Sequence, residues 1–218
     1  MTAMGRSLRL GTVVVLALGL TACTAGSEPA PTDPVVQLGA PGEPNRTLSP
    51  EEAGGIEAPT FVEEDVAFMR DMIEHHSQAI VMTGFVDERT DDRDIRLLAE
   101  RMRISQEDEL DLMVQWLQDR VQPLREDGHD GHGDAHEMPG MLTEEQLARL
   151  EAAEGSTFDR LFLEYMIQHH EGARQMVDEL YSAGGGQESA VDQFARHVES
   201  DQGIEIARMQ EMLAARSS

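Results

Sequence analysis

The chain has 218 residues and a formal net charge of −25, from 42 acidic against 17 basic side chains. That sign excludes nucleic acid as a partner, because phosphate binding needs a basic surface, and it favours a solvated exterior that attracts cations. Aromatics make up 4% and no stretch alternates apolar with polar residues, which excludes a β architecture and leaves an all-α one.

Residues 1–22 read as a signal peptide: Arg6 and Arg9 precede an apolar run from Leu10 to Leu20 that is too short for a membrane span. Leu20-Thr21-Ala22-Cys23 resembles a bacterial lipobox, in which cleavage before Cys23 leaves that residue as the lipidated N-terminus. The mature protein is then extracytoplasmic, anchored to the membrane by lipid, and without a free thiol. Any soft metal ligand must come from Met or His. Residues 23–59 hold seven of the nine prolines, among Gly, Ser and Glu, and are expected to form a disordered tether.

Residues 60–218 are long enough for one domain with a core of its own. Thr60 to Glu63 has capping-box spacing and opens a first helix to about Val86. A second starts at Thr90 and carries Ile95, Leu98, Met102, Leu110, Met113 and Leu117 at helical spacing until Pro123 stops it. A long connection, 122–156, includes a short helix at Glu144 to Ala153. The third helix spans Thr157 to Ser182 before Gly184-Gly185-Gly186, and the fourth runs from Glu188 to the C-terminus.

These helices repeat. Met72-Ile73-Glu74-His75-His76 recurs as Met166-Ile167-Gln168-His169-His170, within two segments, Phe68 to Met82 and Phe162 to Met176, that share seven of fifteen residues. Helices two and four match at a shift of 96, with Ala99/Ala195, Gln106/Gln202, Glu109/Glu205, Met113/Met209 and Leu117/Leu213 identical. Each repeat is a helical hairpin, and two hairpins make a four-helix bundle.

At roughly 100° per residue, His76 and His170 fall at the centre of the apolar stripe, whereas His75 and His169 fall on its flank beside Met82 and Met176. One imidazole per helix is expected to face the interior while its neighbour looks sideways. Glu109 and Glu205 lie in apolar faces, where a carboxylate is costly unless it is paired, protonated or metal-bound, and imidazoles of the first and third helices, met across the bundle, are the expected partners. Four recurring histidines, with Met72, Met82, Met166 and Met176 nearby, point to a metal site. The competing reading is a duplicated Glu–His network that fixes helix register. A second cluster lies in the connection, where His129, His132, His136, Met138 and Met141 sit among glycines and carboxylates that can wrap an ion. Thioether with imidazole favours Cu(I), and imidazole with carboxylate suits Cu(II), Zn(II) or iron. Copper is the first choice because it uses both donor sets, and zinc is the second.

The segments Phe68 to Met82, Gln106 to Met113, Met138 to Thr143 and Phe158 to Ala173 resemble the domain-of-unknown-function 305 family over residues 60 to 215. The resemblance implies a ferritin-like four-helix bundle, usually exported, with copper binding in some members. It also implies His75, His76, His169 and His170 with nearby Met as the site, and the connection as an accessory. A ferritin-like di-metal oxidase is a less favoured alternative, because Met72 and Met166 stand where a Glu three residues before His would be needed. A structural or partner-binding bundle without metal is another. No nucleophile elbow, phosphate loop or paired acid–base motif makes a case for an enzyme.

Overall fold

The computed structural model describes residues 35–37, 44–55, 60–125 and 138–216. The chain divides into two compact units, Met1–Glu57 and Ala58–Ser218. Residues 1–22, where a signal peptide is expected, Cys23, and His129, His132 and His136 lie outside the described residues.

In the first unit, β1 (Val35–Gln37) pairs antiparallel with β2 (Arg46–Leu48), placing Val36 opposite Thr47, and helix α1 (Pro50–Gly54) follows. Ser49 and Glu52 cap α1 reciprocally: Ser49 Oγ accepts from the Glu52 amide at 3.2 Å and the Glu52 carboxylate accepts from the Ser49 amide at 2.9 Å. Local order here departs from the expectation of a disordered tether. Its sources are short-range, β-branched residues in both strands and a capping box, and the density of prolines hides them from periodicity.

The second unit contains α2 (Glu63–Gly84), α3 (Val86–Arg89), α4 (Arg93–Asp119), α5 (Glu144–Ala152), α6 (Gly155–Ala183) and α7 (Ser189–Arg216). It is an all-α bundle: α2 packs on α4, α6 on α7, and the two hairpins join through α2 and α6. Among the described residues no helix is long and apolar enough to cross a membrane.

Helix boundaries follow their caps. The first helix starts at Glu63 rather than Thr60, because the Asp65 carboxylate accepts from the Val62 amide at 3.0 Å and, across the bundle, from the Gly186 amide at 2.6 Å. Thr90 does not cap α4 directly. Its hydroxyl accepts from the Asp92 amide, and Asp92 in turn accepts from the amides of Asp94 and Ile95. The connection's helix, α5, has the expected Thr143/Gln146 capping box, and α6 ends at Gly184 with φ of 95°.

The apolar core is in two parts. One gathers Met82, Ile95, Met102, Phe158, Phe162, Met166 and Met209; the other gathers Phe68, Met72, Met113, Trp116, Met176, Val191 and Phe194. Burying each such side chain stabilises the fold by about 1.5–3 kcal/mol. Met72 and Met176 share one part and Met82 and Met166 the other, so the N-terminal half of α2 lies level with the C-terminal half of α6. Between the parts runs a layer of polar side chains.

Candidate metal centre

The layer consists of His75 and His76 from α2, Gln106 and Glu109 from α4, His169 and His170 from α6, and Gln202 and Glu205 from α7. All are buried except Glu205, which is half-buried. His76 Nε2–H donates to Glu109 Oε2 at 2.5 Å, and His170 Nε2–H donates to Glu205 Oε2 at 2.6 Å. Each Glu thus meets an imidazole of its own hairpin. Nδ1 of each ring has no hydrogen-bond partner.

His75 and His169 are also fully buried, contrary to the sideways orientation expected from angular position alone. The flanks of α2 and α6 face one another, so two side chains that point off their own stripes meet in the middle. Their ring centroids are 3.8 Å apart and their planes 39° from parallel. His75 Nε2–H donates to the Pro139 carbonyl at 3.1 Å. Neither ring nitrogen of His169 makes a hydrogen bond of normal geometry. Burial first, and then the neighbouring imidazole His76, push His75 down to about 3, and burial followed by His75 holds His169 well below the usual histidine range. Both rings are therefore neutral at physiological pH, the form in which imidazole ligates a metal.

Among the described residues, nine buried side-chain polar atoms lack a hydrogen-bond partner, and seven are in this layer: Nδ1 of His75, His76 and His170, both nitrogens of His169, and Oε1 of Gln106 and Gln202. Buried polar groups are normally satisfied, and an orphan costs about 1–3 kcal/mol. Their concentration in one layer, walled by thioether-bearing cores, fits an ion with nitrogen and sulfur ligands. Met72, Met82, Met166 and Met176 are all buried on either side of the histidines.

The end of the His/Met-rich connection is fastened over this layer. Gln78 donates to the Leu142 carbonyl and accepts from the Leu142 amide, at 3.0 and 2.7 Å. Gln168 donates to the carbonyls of Gly140 and Met141. Met138 packs against the second part of the core, and Met141 is half-buried. A Cβ on Gly172 would lie 2.0 Å from the Pro139 carbonyl oxygen, so only glycine allows this approach.

Sequence reasoning missed His197 and Asp201 on α7. With Glu109 they place three ligand atoms within 4.8 Å of one another. His197 has no counterpart in the first repeat, where Arg101 stands, so the duplication gave no signal for it.

The fold and site together define a helical bundle crossed by a buried histidine–carboxylate layer with methionine on both sides. The family model described as domain of unknown function (DUF305) matches residues 65–213, and the chain belongs to that family. The structure is similar to a DUF305 protein from Streptomyces coelicolor, described as secreted, at 30% identity and a TM-score of 0.63, covering 71% of this chain and 94% of that one. A DUF305 fragment from Deinococcus radiodurans gives 29% identity and a TM-score of 0.63 over 72% and 99% of the two chains. CopM in its Cu(II)-bound form gives 26% identity and a TM-score of 0.56 over 69% and 96%. Comparison with curated protein sequences gave no match.

Proposed function

We propose that this protein is an extracytoplasmic, lipid-anchored copper-binding protein that sequesters, buffers or delivers the ion, and is not an enzyme. The observation that carries this reading is the set of seven orphaned polar atoms in the histidine layer. His75, His76, His169 and His170 would hold the ion with neutral imidazole nitrogen. Met72, Met82, Met166 and Met176 supply nearby thioether, and that mixture suits copper better than zinc. Glu109 and Glu205 orient His76 and His170 from behind, as outer carboxylates do for metal-bound imidazoles.

The connection has a complementary part. His129, His132 and His136 capture the ion, and Met138 and Met141 continue that donor run to the strap fastened beside His75. The existence of a Cu(II)-bound CopM structure, and the secreted description of the Streptomyces relative, support copper and an extracytoplasmic location. The competing reading, a bundle whose Glu–His pairs only fix register, draws on the closure of His76–Glu109 and His170–Glu205 without a metal. It leaves both nitrogens of His169 unexplained.

Competitive Cu(I), Cu(II) and Zn(II) titrations of the full chain test the reading. Replacing His75, His76, His169 and His170 together by Ala weakens copper binding far more than replacing His129, His132 and His136, with far-ultraviolet dichroism checking the fold. The single variant His169→Leu answers the same question if the quadruple variant unfolds. Equal losses, or tight copper binding that survives both changes to the layer, would refute a bundle site.

A further inference from the structure

We propose that Glu109, His197 and Asp201 form a second metal site, open to solvent, that takes a divalent cation of the Zn(II) or Cu(II) class. It lies between α4 and α7. His197 Nε2 stands 3.2 Å from Asp201 Oδ2 and 3.7 Å from Glu109 Oε1. Three ligands at about 2.1 Å from a tetrahedral ion lie about 3.4 Å from one another. These two separations bracket that value and the third pair, Glu109 with Asp201, lies within 4.8 Å, so the exposed His197 and Asp201 can close on an ion against the buried Glu109.

The three side chains differ in how they are held. Glu109 is rigid: its side chain is 3% exposed, and Oε2 is fixed by His76, which leaves Oε1 directed at His197. His197 and Asp201 are 55% and 41% exposed and sit one turn apart on α7, an arrangement that lets them close on an ion arriving from solvent. Three protein ligands with a remaining position open to water is the pattern of an exchangeable site, not of a closed structural one.

The donor chemistry separates this site from the histidine–methionine layer. One imidazole and two carboxylates, with no thioether, suit Zn(II) or Cu(II) and not Cu(I). The site is also absent from the repeat. At the shift of 96, the positions matching His197 and Asp201 are Arg101 and Ser105, so Glu205 has no such neighbours in the first hairpin. The ordinary alternative is a His–Asp pair on a helix surface, which would bind no ion. Because Glu109 also bonds His76, an ion here acts on the same carboxylate that orients an imidazole of the inner layer.

The test is Co(II) and Zn(II) titration of the full chain with His129, His132 and His136 replaced by Ala, which removes the competing imidazoles of the connection. Co(II) is read by its visible absorption, and Zn(II) by its displacement of Co(II). One equivalent is expected to bind, and His197→Ala and Asp201→Asn each to weaken it by at least about tenfold, as loss of a ligating or supporting group does. Cu(I) binding, measured in the same variants, is expected to stay unchanged. No Zn(II) uptake by the parent, or Zn(II) binding unaltered in both variants, would overturn the site. Zn(II) binding lost with His197 in a chain that takes neither Cu(I) nor Cu(II) at the histidine layer would uphold this site while refuting the copper reading, so the two proposals fail separately.

Discussion

The imidazoles of His75 and His169 meet across α2 and α6 with centroids 3.8 Å apart and planes tilted by 39°, so the duplicated motif meets itself inside the bundle. One ring is tied to the Pro139 carbonyl and the other makes no hydrogen bond of normal geometry. That inequality makes His169 the most informative residue to change. In the metal-free chain, His169→Leu removes two orphaned nitrogens while keeping a similar volume, and is expected to raise stability by about 1–3 kcal/mol. Copper affinity should fall in the same variant. Urea denaturation and copper competition check the pair of outcomes, and a loss of stability would mean that His169 has a structural partner.

His76 and His170 behave oppositely. Replacing His76 by Leu removes the hydrogen bond to buried Glu109 and leaves only His197, 3.7 Å away, which should cost about 3–5 kcal/mol. His170→Leu should cost less, because the Glu205 side chain is 18% exposed against 3% for Glu109, and water can take over from the lost ring. Double-mutant cycles with Glu109→Gln and Glu205→Gln measure both couplings. Equal values would contradict the burial argument.

The same burial makes stability depend on pH. His75 and His169 are neutral in the folded chain and regain the ordinary value of 6.5 on unfolding, with His75 held down to about 3. The unfolded state therefore binds more protons below 6.5, and stability rises with pH in that window. It is complete above 6.5 and is lost as pH falls toward the folded values, by about 1.4 kcal/mol per pH unit for each ring. Denaturation between pH 7.5 and 5, above the range where carboxylates dominate, measures the slope. His169→Leu should reduce it by one proton, and a flat profile in the parent would show that the rings are hydrated.

Much of this architecture was legible in the sequence because a duplication carries its own control. The identities at shifts of 94 and 96 located two hairpins, and the capping box at Thr143 located α5. The pairing of Glu109 and Glu205 with imidazoles followed from the cost of burying a carboxylate. The meeting of His75 with His169 was not legible, since a helical projection gives a direction and not the neighbour found there. His197 escaped because it stands outside the repeat, and its only signal was the four-residue spacing to Asp201. The strap was hidden for a related reason: Gln78 and Gly172 are equivalent positions in the repeat, and they differ because one clasps Leu142 and the other makes room for Pro139 and Gly140.

That strap gives a further prediction. A methyl group on Gly172 would fall 2.0 Å from the Pro139 oxygen and 2.5 Å from the Gly140 Cα, both backbone atoms. Gly172→Ala should therefore destabilise the chain by about 1–3 kcal/mol, the usual range for overpacking. The Leu142 amide, now bonded to Gln78, should exchange its hydrogen faster. Unchanged exchange would show that the strap yields without releasing the clasp.

The most direct test of the copper account is anomalous diffraction at the copper edge from crystals of the copper-loaded full chain. The account predicts a peak among His75, His76, His169 and His170, with their free ring nitrogens turned toward it. Copper found only on the connection or the outer surface, with the four imidazoles unchanged, would contradict it.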